Sequence, residues 1–260
     1  MRARWAGAAF GLLIAVADGA TALAQQPNPS DAVDRFLSLN VTGQLQSAEG
    51  RGLRIGEASA WDVPSIGPLP NRHDRLLVID DRTAVARIEA RPPDSDPVDL
   101  YFYLRQSEQG WQVSAMRTLA LPQFIFTLIA QLEARPDRTS EDDAMLENLR
   151  LITRPDAELH RWFDEHRAAI EALAEAYEEL PAGSGPVRED DEGAPQVSAA
   201  LRSLHLSQIS RQEGRLVLLI GGMLDNSVGL MRTASPPSIS TTEYIWVEPL
   251  AEGWFLFKTT

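Results

Sequence analysis

Residues 98–116, VDLYFYLRQSEQGWQVSAM, decide the fold. Along Val98 to Arg105, Tyr101 and Tyr103 fall on one face of an extended segment and Leu100, Phe102 and Leu104 on the other, so both faces must be covered. Glu108-Gln109-Gly110 forms a turn, and Trp111 to Met116 returns as a second strand. Toward the N-terminus, Arg75 to Asp80 and Thr83 to Ala90 read as two more strands, divided by Asp80-Asp81. Arg91-Pro92-Pro93-Asp94 separates the second of these from Val98. The four runs predict an antiparallel meander. Ahead of it, Pro29-Ser30 offers a helix start, and Val33, Phe36 and Leu37 form an amphipathic stripe. Residues 50 to 74, with glycines, three prolines and Trp61, read as an irregular connection or a short helix and loop.

After Pro122 the period changes from that of a strand to that of a helix. Phe124, Ile125, Leu128, Ile129 and Leu132 mark one helix; Ser140 with Asp143 resembles a capping box opening a second, which runs through Leu149. A third runs through Leu159, Phe163, His166, Ile170, Leu173 and Tyr177 until Pro181. Residues 181–196, PAGSGPVREDDEGAPQ, read as an acidic linker or loop. Strand signals resume at Ser203 to Ser210, Arg215 to Met223, Val228 to Thr233, Glu243 to Glu248 and Trp254 to Thr259. The expected fold is therefore α+β: two antiparallel β meanders, each with associated helices, separated by a three-helix segment. Its expected divisions are a unit over 25–120, helices over 121–180, a linker over 181–196 and a β unit over 197–260. Ten residues separate Tyr101 from Trp111 and Tyr244 from Trp254, and RLLVIDD resembles RLVLLIGG. A duplicated unit would explain both, and it predicts the same strand order in the two halves.

At the start of the chain, Arg2 and Arg4 precede the apolar run Phe10 to Val16, which is too short to span a bilayer. Ala22-Leu23-Ala24 before Gln25 completes the pattern of a Sec-type signal peptide over 1–24, which predicts a periplasmic or secreted protein. The chain contains no cysteine, so it offers neither a lipid-attachment thiol nor a disulfide framework. With 44% apolar residues, 260 residues can bury a core without such staples. The net charge of −13 repels nucleic acid and anionic lipid, which excludes both as partners, and no membrane insertion is expected after signal cleavage. Of 24 basic residues only Lys258 is a lysine. The skew fits a GC-rich bacterial coding bias, yet a lone lysine also marks a position where a compact ammonium serves and a planar guanidinium does not.

The candidate chemistry is sparse. His73 precedes a strand with Asp62, Asp80 and Asp81 as possible partners for acid–base work, although turn composition explains those acids equally well. His160 and Asp164 share a helix face at metal-ligand spacing, but that face supplies no third ligand, and neither a metal site nor a cofactor is expected. Gly183-Ser184-Gly185 lacks the context of a nucleophile elbow, and Gly221-Gly222 that of a phosphate loop. The aromatics Trp61, Tyr101, Tyr103 and Trp111 either fill a core or line a ligand cavity, and Tyr244 with Trp246 poses the same choice in the second half.

Residues 30–120, with Ala32-Val33 and Phe36-Leu37 on the helix and the Leu100 to Val113 hairpin, resemble the NTF2-like superfamily, including the SnoaL-like proteins. That resemblance implies a curved sheet wrapped around a helix, with a cone-shaped pocket that serves as enzyme site, ligand cavity or core. The chain departs from it in having one clear N-terminal helix and a three-helix insertion after the meander, and it carries no catalytic residue across. The expected function is a non-enzymatic module that binds a small apolar ligand or an envelope protein. The alternative is an NTF2-like hydrolase or isomerase using the His73 pair.

Overall fold

The computed structural model describes residues 28–60, 72–90, 97–119, 123–181, 183–223 and 225–260. The segment expected to be a signal peptide, Trp61 and Asp62 lie outside them. Helices α1 (Pro29–Val41) and α2 (Ala48–Gly52) and a 3-10 turn (Gly56–Ala60) precede strands β1 (His73–Asp80), β2 (Thr83–Ala90), β3 (Val98–Ser107) and β4 (Gly110–Arg117). Helices α3 (Gln123–Ala134), α4 (Ser140–Thr153) and α5 (Asp156–Glu178) follow. The chain ends with β5 (Val187–Arg188), α6 (Pro195–Ser203), β6 (Gln208–Gln212), β7 (Arg215–Met223), β8 (Asn226–Arg232), β9 (Tyr244–Ala251) and β10 (Trp254–Thr259).

The first sheet is the expected meander, in the order β1-β2-β3-β4. Its first turn is closed by Asp80, whose Oδ1 accepts the Arg82 N–H at 2.7 Å. The β3–β4 turn ends at Gly110, whose φ of +96° suits glycine. Strand alternation then sends Leu100, Phe102 and Leu104 to one face, where they meet Val33, Phe36 and Leu37 of α1; Phe36 and Phe102 pack edge to face at 5.8 Å. The opposite face carries Val85, Tyr101, Tyr103 and Ala115, and it packs against Ile245 and Trp246 of β9. The two sheets therefore share an interior.

The second sheet is not a simple meander. Its order is β5-β6-β7-β8-β10-β9, so the last strand inserts between β8 and β9. The connection 233–243 carries the chain past the position that a meander would fill, and β10 returns to pair with both neighbours. In the first sheet the equivalent of β9 pairs directly with the strand before it. The difference in strand order removes the duplication reading. What the halves share is an aromatic hairpin, which cross-strand packing favours wherever it occurs.

Two local expectations also move. The capping box sits one residue early: the Thr139 side chain accepts the Asp142 N–H, and Asp142 accepts the Thr139 N–H. Within 181–196, Val187 is buried and pairs with Ile209 of β6, and Pro195 opens α6, which runs to Ser203, so that the strand expected from Ser203 begins only at Gln208. Leu159, Trp162, Phe163, Ile170 and Leu173 of α5 cover Leu218, Leu230, Trp254 and Leu256 of the second sheet. No described helix is long and apolar enough to cross a membrane.

Candidate functional site

Charged side chains converge where the inner face of the first sheet, the β9–β10 end of the second and the N-terminus of α5 meet. Register explains the convergence. Arg87 lies opposite Tyr101, and Asp99 is two residues from Tyr101, so all three point to the inner face. Lys258 lies opposite Trp246, and Glu248 is two residues further along β9, so these too share a face.

Helix α5 begins after Pro155 with no side-chain cap, which leaves its first N–H groups without a local acceptor. Asp99 supplies one from the other sheet: its Oδ2 accepts the Asp156 N–H at 2.9 Å. A carboxylate at a helix N-terminus is also favoured by the helix dipole. Lys258 Nζ lies 3.2 Å from the same Asp99 oxygen and 2.7 Å from Asp156 Oδ1. Tyr101 donates its hydroxyl to Asp156 Oδ2 at 3.0 Å, and Arg87 Nη1 stands 3.5 Å from that oxygen. Arg87 also reaches Glu248 Oε1 at 3.7 Å, where His160 Nε2 approaches to 2.7 Å; Arg75 Nη1 is 2.8 Å from Glu248 Oε2. Three carboxylates thus meet one ammonium, two guanidinium groups and an imidazole.

Lys258, Asp99, Asp156 and Glu248 side chains are each at most 3% exposed. Such burial costs several kcal/mol per ion unless partners and hydrogen bonds offset it. Burial works to raise the Asp156 carboxyl, yet Lys258 and Arg87, with hydrogen bonds from Lys258 and Tyr101, hold it below its ordinary value. Asp99 goes the other way: burial, against the pull of Lys258 and with a push from Asp156, raises it to about 6. The two acids compete for one ammonium, and Asp156 wins because it has the shorter contact and two further partners. Burial works to lower Lys258, but Asp156 and Asp99 outweigh it and keep the ammonium charged. Burial and then the neighbouring Asp156 push the Tyr101 phenol well above its ordinary value. The cluster can therefore hold or release a proton at Asp99 beside an Asp156 that stays ionised and a Lys258 that stays charged.

The expected site residues do not assemble as one pocket. Tyr101 is in the cluster, its ring 5.1 Å from that of Trp246. Tyr103 is next to it and donates to the Ile245 carbonyl at 2.7 Å and the Ser240 carbonyl at 3.1 Å, which ties the sheets together. Trp111 lies on the other side of the sheet, in an open groove of about 660 Å³ between the start of α1 and β1 that Asp80 and Asp81 also line. His73 and Asp80 occupy opposite ends of β1, about 23 Å apart at the rise of a strand, so the structure does not bring that pair together. His160 turns toward Glu248 while Asp164 is exposed, and among the described residues no three acidic or histidine side chains are grouped to hold a metal.

Asp99, Asp156, Arg87 and Glu248 were not among the sequence candidates. The sequence signals that reached this place were the lone lysine, Tyr101 and His160. Comparison of the chain with protein-family models, with characterised proteins and with solved structures finds no match.

Proposed function

We propose that this is an exported, non-enzymatic binding protein in which an N-terminal NTF2-like unit and a C-terminal β unit are locked into one body by the Lys258 cluster. The observation that carries the reading is the mutual ion pairing, away from solvent, of groups that elsewhere do acid–base chemistry. Glu248 has both oxygens enclosed and faces Arg75, Arg87 and His160. Asp156 spends its carboxylate on Lys258, Tyr101 and Arg87, and its N–H on Asp99. A general acid or base has to reach the proton that it moves in a bound substrate. Here the protein's own groups fill those positions.

The NTF2-like resemblance supports the same reading, since α1 fills the sheet face that would form the cone-shaped pocket. Binding then falls to the outer surfaces, and export of an acidic chain suits a partner met outside the cytoplasm. The test is purification of the chain from Gln25 from its native host, followed by native mass spectrometry and thermal-shift screening. Co-purification of a ligand or protein partner, or saturable stabilisation by one, supports the proposal. A substrate turnover abolished by His160→Gln or Lys258→Met at unchanged melting temperature would overturn it.

A further inference from the structure

Helix α1 covers Phe102, Leu104 and Val113 of the first sheet but does not reach the end of that face. Past its first residues, Asn28 and Pro29, the face continues as the open groove of about 660 Å³. Leu76 and Trp111 form the floor; both pack against the core behind them and are only half-buried, and Val78 beside them is 63% exposed. One end is acidic. Asp80 gives one carboxylate oxygen to the Arg82 N–H, while its other oxygen and both oxygens of Asp81 have no hydrogen bond or ion pair among the described residues. Arg82 follows in the same turn, yet no basic side chain lines the groove. The N-terminus of α1 brings a partial positive charge, which Asp31 in its first turn offsets. Gln106 lies opposite Trp111, and its N–H donates to the Arg82 carbonyl at 2.9 Å, so the indole and the acidic turn are two strand spacings, about 10 Å, apart. Exposed apolar surface rimmed by polar groups marks a place where another molecule sits.

We propose that this groove receives a basic, apolar segment of an exported partner protein, with an arginine set between Trp111 and the Asp80-Asp81 turn and a large apolar side chain on Leu76 and Val78. This occupancy rests on the binding function proposed above and gives it a surface and a partner chemistry. Charge selects the occupant. A second copy brings a net charge of −13, and nucleic acid or anionic lipid brings the same sign. Arginine suits the gap because its guanidinium stacks on an indole face while its fork matches carboxylate oxygens. A free small cation would meet the two acids in water, where one exposed pair contributes little. A chain segment adds the burial of Val78 and of the open part of Trp111 to the same contact.

The test is fluorescence anisotropy of a labelled peptide of alternating leucine and arginine, titrated with the chain from Gln25. Two control peptides carry glutamate in place of arginine, or serine in place of leucine. The expected result is saturable binding of the first peptide, about tenfold tighter than of either control and weaker at high salt. Asp81→Lys, at an exposed position, should weaken that binding about tenfold and Val78→Ser about threefold, both at unchanged melting temperature. Asp81→Lys should also improve binding of the glutamate peptide. Absence of binding would overturn the proposal, and so would equal binding of all three peptides or binding indifferent to both substitutions. Purification from the native host separates this proposal from the binding function itself: a protein partner recovered equally with wild type and with Asp81→Lys would keep the function and remove this groove from it.

Discussion

Asp99→Asn isolates the carboxyl of the cluster that burial raises. The side chain keeps its size, and its carbonyl oxygen can still accept the Asp156 N–H, so helix α5 keeps its remote cap. What it loses is the ability to ionise. In the native protein the Asp99 carboxyl is raised from 3.8 to about 6, chiefly by burial. Between those two values the native state binds more protons at this residue than the unfolded chain does, so its contribution to stability falls as pH rises through that window. The shift of about two units corresponds to about 3 kcal/mol lost from the wild type across the window. The side chain is almost fully buried, so solvent screening does not discount the figure. Asp156 acts in the opposite sense: its carboxyl is lowered, and the stability that it provides above its ordinary value is lost only as pH falls through the native one. Urea unfolding followed by tryptophan emission, at about pH 4.5 and about pH 7, gives the stability difference between variant and wild type. That difference should move in favour of Asp99→Asn by about 2 kcal/mol between those two pH values, because part of the window lies below the lower one. A difference that stays flat, or that moves in favour of the wild type as pH rises, would mean that Asp99 is ionised throughout and paired with Lys258. The account of the cluster would then be wrong.

Lys258→Met leaves two buried carboxylates without their ammonium and is expected to destabilise the fold by about 3 to 5 kcal/mol, measured by denaturant unfolding near neutral pH. Lys258→Arg should recover only part of this, because a planar fork cannot take the place of a point donor held between Asp99 and Asp156. Tyr101→Phe removes the hydroxyl that Asp156 accepts and should cost about 1 to 3 kcal/mol, with an unchanged far-ultraviolet circular dichroism spectrum. Gly229→Ala places a methyl 2.6 Å from the Leu218 carbonyl and 2.7 Å from the Phe257 ring. It should lower stability by about 1 to 3 kcal/mol in a thermal melt through overpacking alone, with no dependence on pH.

Local physics carried much of the fold. The first sheet follows from alternation in four short runs joined by turn residues, and each strand pairs with its sequence neighbour, so no long-range information was needed. Helices α3, α4 and α5 follow in the same way from the 3.6-residue period. The second sheet was less legible because its order depends on where a long connection leads. The segment 233–243, with Ser235-Pro236-Pro237-Ser238, reads as irregular under any topology, and nothing in it says that β10 will enter between β8 and β9. Val187 shows a second limit. One apolar residue in an acidic, proline-rich stretch is weak evidence for order, yet pairing with Ile209 is enough to bury it.

The cluster was hidden for a different reason, since Lys258 and Asp99 are 159 residues apart and touch only after both sheets form. Their positions nonetheless carry a trace. Arg87 in TAVARIEA, Asp99 in VDLYFYL, Glu248 in YIWVEPL and Lys258 in WFLFKT each interrupt a strongly apolar strand, at a parity shared with residues that must face inward. A charge left alone in such a place costs several kcal/mol, so each implies a buried partner of opposite sign. Two are acids and two are bases, which makes the set neutral before any pairing is known. Alternation can therefore predict that the charges must meet and that they balance. It cannot say that Lys258 bridges Asp99 to the N-terminus of a helix 57 residues further along the chain, because that contact depends on how the two sheets pack.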